Sequence, residues 1–157
     1  EGQILHTQHK TLLPTYDIFD EYRYFEPASS WQVVEYQGKK IALTVCEDIW
    51  NIGNENPLYT ISPMDELIRQ APDFILNLSA SPFSYTQADA RTKVVRANVE
   101  RYGIPMFYVN HCGAQTEILF DGGSLAASAD GKIFDELPYF EEALRVYDLD
   151  EVAAGGR

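Results

Sequence analysis

Long apolar runs are missing from this chain. No uninterrupted hydrophobic stretch approaches the roughly 20 residues a membrane helix needs, so a spanning protein is not expected. The opening stretch EGQILHTQHK has no apolar centre and does not read as a secretory leader. Cysteine is scarce: Cys46 and Cys112 are the only two in 157 residues. That is too few for a disulfide scaffold in a domain of this size. The expected home is a reducing cytoplasm, where a thiol is either buried and inert or reactive. Positive charge is also short, with 12 Lys and Arg against 24 Asp and Glu and a net charge of −12. Without a cationic surplus to neutralise phosphates, nucleic acid is not an expected partner. The acidity reads as solubility. No glycine-rich phosphate loop occurs, because DGGS at 121–124 lacks the lysine and helix that would have to follow. His6 and His9 in HTQH find no second well-spaced pair, so no metal site is expected.

What is present suits one globular domain: hydrophobic residues make up 45% and charged residues 23%. EGQIL reads as a hairpin end and short strand, and KTLLPTYDIFDEYRYFEP as a long ordered loop with one helical turn. WQVVEYQGKKIALTVCEDIW alternates, turns at Gly38-Lys39 and runs into a buried strand. Ser62 and Pro63 open a short helix with Asp65 and Glu66 in its first turn. DFILNLSASPF is a strand running into a small-residue loop. TQADARTKVVRANVERYG is an amphipathic helix that stops at Gly103, with Val94, Val95, Ala97, Asn98 and Val99 on one side. IPMFYVNHCG is a further buried strand. EILFDGGSLAASADGKIFDELPYF is a strand pair turning at ADGK, ALRVYDLD a last strand, and AAGGR a linker. Alternating strands and helices give an α/β class with a mixed sheet.

TVCEDIW at 44–50 raises the main chemical question. Cys46 ends an apolar strand and is followed by Glu47 and Asp48. A strand-to-helix corner exposes a thiol and offers backbone N–H groups to a developing oxyanion. The alternative is an inert buried cysteine. Lys10 leads into an apolar, proline-fixed loop, either held in a pocket or solvated. Glu21 lies among aromatics and needs a partner, with Arg23 and Lys10 both in reach along the chain. Glu47 reads as a substrate contact or as a charge at a helix start. A cysteine–histidine pair would draw on His111, His9 or His6. Cys112 reads as structural.

Four stretches together carry a resemblance: HKTLLPTYDIFDEYRYFEP, IALTVCEDIW, ILNLSASPF and YVNHCGAQTEILFDGGSLAASADGKI. In this order they resemble the nitrilase superfamily of carbon-nitrogen hydrolases. More narrowly, they are similar to the glutaminase domain of bacterial glutamine-dependent NAD synthetases, from about Gln3 to Asp150. The resemblance implies a four-layer α-β-β-α sandwich and a Glu–Lys–Cys triad. By matching motif, Cys46 is the nucleophile, Lys10 the triad lysine and Glu21 the second glutamate beside it. The backbone N–H of Glu47 would join Lys10 in holding the oxyanion. Tyr16, Glu47 and Ser81 would line the glutamine pocket, where a carboxylate is the counter-charge an α-ammonium needs.

The family's first triad glutamate, the general base, lies well upstream of the lysine motif, and Glu1 is too close to Lys10 to take that place. The resemblance therefore implies that residues 1–157 are the carboxyl-side portion of one such domain, a sandwich incomplete at its amino-terminal side. The upstream strands and a downstream synthetase domain would be absent. The implied function is a glutamine amidohydrolase module that works through a thioester and needs no cofactor for that step. It would supply ammonia for ATP-dependent conversion of deamido-NAD to NAD, with ATP, Mg and deamido-NAD used by the synthetase domain. Implied partners are glutamine, the synthetase domain of the same parent chain and further copies in a homo-oligomer. The alternatives are a free-standing amidase acting on another amide, or a catalytically inert fragment.

Overall fold

A computed structural model describes residues 2–54 and 58–155. Its centre is a six-stranded mixed sheet in the order β1-β2-β3-β4-β7-β8. The members are β1 (Val34–Tyr36), β2 (Lys39–Val45), β3 (Phe74–Ser79), β4 (Met106–Asn110), β7 (Leu125–Ala127) and β8 (Ile133–Glu136). Strands β2, β3 and β4 run parallel, and β1, β7 and β8 extend the sheet antiparallel on either side. A separate hairpin pairs β5 (Cys112–Gln115) with β6 (Ile118–Asp121).

Each parallel step needs a crossover, and each crossover carries a helix. Helix α1 (Pro63–Leu67) joins β2 to β3, and α2 (Gln87–Tyr102) joins β3 to β4. Proline at the first position of α1 starts the helix at no hydrogen-bond cost. Ser62 occupies the N-cap position, but its side chain makes no cap bond. Gly103 ends α2 in the left-handed conformation, its N–H donating to Val99 O at 2.8 Å. Met64, Leu67, Val95 and Val99 pack over Ala42, Ile75, Met106 and Leu125, forming the principal core. On the other face, Phe74, Phe107 and Ala126 are covered at one end by Val152 of α3 (Leu149–Ala153). Towards the carboxyl ends of the strands that face stays open, with Leu78 at 54% and Val109 at 47% exposure.

Several sequence expectations change. Residues 2–5 form no strand, and Ile4 and Leu5 are exposed. The first hairpin turns at Gln37-Gly38, one residue earlier than expected, with both residues at positive φ as a two-residue turn requires. Of the stretch 118–136, Ile118–Asp121 pairs backwards with β5, and the ADGK turn joins β7 to β8. The last stretch is not a strand. Leu144 and Val146 are almost fully exposed, and Asp148 caps α3 by accepting from the N–H groups of Asp150 and Glu151. The aspartate offers this backbone a helix start. Of the AAGGR tail, 156–157 lie outside the described residues, as does Glu1.

Candidate active site

The carboxyl ends of the three parallel strands deliver the site. This is where ligands gather in parallel α/β sheets. Strand β2 ends at Val45, and Cys46 begins a tight 3-10 turn over Cys46–Ile49. Cys46 itself has φ of +48°, a left-handed conformation that costs a non-glycine residue energy. The turn is held by Asp48. Its Oδ2 accepts from Val45 N at 3.1 Å, and its Oδ1 accepts from Thr11 N and Leu12 N at 2.9 and 2.8 Å. Asp48 thereby takes the capping role considered for Glu47, and it ties the loop after Lys10 to the turn that begins at Cys46. Asp48 is almost fully buried, and burial pushes its carboxyl up to about 6 against the pull of those N–H groups.

The long loop closes on itself, Ala28 N donating to Lys10 O at 2.9 Å. Its one helical turn, Glu21–Arg23, falls inside the expected loop. That turn presents Glu21 to Lys10, whose Nζ donates to both carboxylate oxygens at 2.8 and 2.7 Å. Arg23, the other candidate partner, pairs instead with Asp20 at 2.7 Å. The Lys10–Glu21 pair is mostly buried, with side chains 15% and 23% exposed.

Two cavities meet at Cys46. One, of about 660 Å³, is lined by Lys10, Glu21, His9, Phe25 and His111 as well as Cys46. The other, of about 560 Å³, is lined by Tyr16, Cys46, Glu47, Ser81 and Gln87. All six residues marked in the sequence, Cys46, Lys10, Glu21, Tyr16, Glu47 and Ser81, thus surround one junction. Burial pushes the Cys46 thiol up, and the Lys10 ammonium and the Ala80 N–H oppose that.

The second cavity has a buried negative charge in its wall. Glu47 is 6% exposed and accepts from Tyr16 Oη at 2.9 and 3.0 Å and from Tyr59 Oη at 2.9 Å. Burial and the Glu47 charge push both phenols up, so both remain donors. Ser81, at the end of the β3 loop, is positioned from two sides. Its N–H donates to Asn110 Oδ1 at 2.9 Å, and its Oγ accepts from Gln87 Nε2 at 3.2 Å. Asn77 Nδ2 donates to Thr44 Oγ1 at 3.0 Å and to Cys46 O at 3.3 Å, bracing the turn from the β3 side.

Sequence reading missed several of these supports. Tyr59 lies in an aperiodic segment and carries no signal. Arg91 had one: it falls at helical spacing from Val95, Asn98 and Val99 on the buried face of α2. Its guanidinium forms a fully buried bidentate pair with Asp121 of β6, which fixes the pocket-lining hairpin to α2. His111 lines the first cavity edge-on to Phe120, at 4.7 Å between ring centroids. Cys112 is a free, half-buried thiol at the start of β5. Among the described residues no three His, Cys, Asp or Glu side chains converge as a metal site, and no helix is long and apolar enough to cross a membrane.

The carbon-nitrogen hydrolase family matches residues 1–156. The chain belongs to that family. This bears out the resemblance carried by the four motifs. Among its relatives is the glutamine-dependent NAD(+) synthetase of Synechocystis sp., 41% identical over 155 residues. That match covers 95% of this chain and 27% of the relative. A solved structure, the glutamine-dependent NAD+ synthetase of Acinetobacter baumannii in complex with ADP, superposes with a TM-score of 0.80 at 32% identity. It covers 90% of this chain and 25% of that one. The carbon-nitrogen hydrolase of Helicobacter pylori shares the fold, with a TM-score of 0.73 at 21% identity over 87% of this chain and 49% of its own. The α/β class and the nitrilase-type fold therefore hold. The chain spans about a quarter of the length of the synthetases it matches.

Proposed function

We propose that this chain is the carboxyl-side part of a glutamine-hydrolysing domain in a glutamine-dependent NAD synthetase. One observation carries the reading: Cys46 stands where two cavities meet, with the Lys10–Glu21 pair on one side and the Glu47 carboxylate on the other. A reactive thiol beside a fixed cation suits attack on a carboxamide. A buried carboxylate across the pocket suits an amide that also bears an ammonium group, and glutamine has both.

Cys46 Sγ adds to the side-chain carboxamide carbon of glutamine. The backbone N–H of Glu47 and the ammonium of Lys10 receive the oxyanion, and Glu21 holds Lys10 in place. The thiol proton passes to a base and then to the departing nitrogen, which leaves as ammonia. A Cys46 thioester remains, and water releases glutamate and the free thiol. The carboxylates nearest Cys46 are already committed, Glu21 to Lys10 and Glu47 to two phenols. Family resemblance implies that the base is a glutamate of the parent chain outside residues 1–157. On this reading the second sheet of the sandwich also lies outside this chain. The hydrolytic step uses no cofactor. ATP, Mg and deamido-NAD serve the synthetase domain of a cytoplasmic, homo-oligomeric parent.

Substrate choice separates this from a free-standing amidase. The parent protein is offered glutamine, acetamide and propanamide, and ammonia is followed. Turnover of glutamine with little of the simple amides supports the reading. Preference for simple amides, with glutamine refused, overturns it.

A further inference from the structure

The family motifs place Glu47 and Tyr16 together but do not account for the second phenol on Glu47, that of Tyr59. Its carboxylate is buried, yet none of the ion pairs among the described residues includes it. Its hydrogen-bond partners are phenols from two separate loops. Tyr16 is 41% exposed and lines the cavity, sharing its hydroxyl between both carboxylate oxygens. Tyr59 is 8% exposed, does not line that cavity and donates to Oε1 alone. Its segment is anchored beside it, Asn51 Nδ2 donating to Ile61 O at 2.9 Å.

We infer that Tyr59 is a positioning residue for substrate selection, holding Glu47 from behind so that the free side of Oε2 faces the cavity and receives the substrate's α-ammonium. This rests on the glutaminase reading above. The physical logic is directional. A carboxylate has about four acceptor positions. Two donors converge on Oε1, and the shared Tyr16 hydroxyl occupies one side of Oε2. The remaining acceptor capacity lies on Oε2. Phenols satisfy the carboxylate without neutralising it, so a negative charge is kept inside a cavity wall for a cation that arrives with the ligand. A lysine or arginine in the place of Tyr59 would cancel that charge and the selectivity with it. Tyr59 touches Glu47 rather than substrate, so it acts on where the carboxylate points.

The test is Tyr59→Phe in the full-length parent, which keeps the ring and removes only the donor. Steady-state rates are measured with glutamine and with 5-amino-5-oxopentanoate, which is glutamine without its α-ammonium. Loss of one hydrogen bond to a charged group corresponds to about a tenfold effect. The expected result is a KM for glutamine raised about tenfold with kcat little changed, and no loss on the des-amino amide. Glutamine binding to Cys46→Ala, with and without Tyr59→Phe, repeats the comparison without turnover and should show the same tenfold weakening. A merely structural tyrosine would lower the thermal midpoint and depress both substrates together. An unchanged KM and affinity for glutamine, or an equal fall on both amides, overturns the inference while leaving the glutaminase reading intact. A wild-type parent that leaves glutamine untouched overturns both.

Discussion

Lys10 and Cys46 differ in what surrounds them. Lys10 has a full-time counter-ion in Glu21, with both carboxylate oxygens on its ammonium. Cys46 has the Lys10 charge and the Ala80 N–H in its favour, yet burial still holds it as a thiol. On the proposed reading, Lys10 stabilises charge on the substrate oxygen. Lys10→Ala in the parent should lower kcat by about 10²–10³, the usual loss when one oxyanion donor is removed. A fall of less than about tenfold, read from steady-state glutamate release, would count against that role. The residues that gather at the cavity junction were largely marked in the sequence. Cys46 stood out because an apolar strand stopped at it and two acids followed. Tyr59 was not legible, because its contact with Glu47 depends on a loop conformation that no spacing encodes. The partner of Glu21 was narrowed to two cations, and only the fold chose Lys10 over Arg23.

The loop 10–28 and the turn after β2 behave as one piece, because Asp48 bonds to both. Asparagine could not replace it without placing an amide donor against one of the three N–H groups. The arrangement has a pH signature. The Asp48 carboxyl rises from an ordinary 3.8 to about 6 in the fold, so the folded state binds its proton more tightly than the unfolded chain. Stability contributed by this group is present below about pH 4 and is lost as pH rises through about 6. At 1.36 kcal/mol per unit the loss is roughly 3 kcal/mol. The stability of wild type minus that of Asp48→Asn should therefore fall across this window, the other carboxylates cancelling in the difference. Trp31 donates to Thr11 Oγ1 at 2.9 Å, so its fluorescence during denaturant unfolding reports on this loop. A difference that stays flat or rises with pH contradicts the assignment. Among the elements, α2 was legible end to end from its apolar face and Gly103. The stretch 143–150 was misread because Leu144 and Val146 mimic strand alternation while pointing into solvent.

At the scale of the whole molecule, the sheet is asymmetric. Its helical face is sealed by α1 and α2. Its other face is covered only at one end, leaving Leu78 open in the wall of the first cavity and Val109 exposed. The chain spans about a quarter of the length of its synthetase relatives. The resemblance implied a sandwich incomplete at its amino-terminal side, but strand patterning alone did not, because burial of an apolar strand residue reads the same whether the covering partner belongs to this stretch or to another. On the proposed reading Cys46 is the nucleophile of a glutaminase. The most direct test compares wild-type parent with Cys46→Ala, following glutamate release from glutamine at neutral pH. The account predicts steady glutamate production by wild type and none by Cys46→Ala. Glutamate released by Cys46→Ala at a wild-type rate would contradict it.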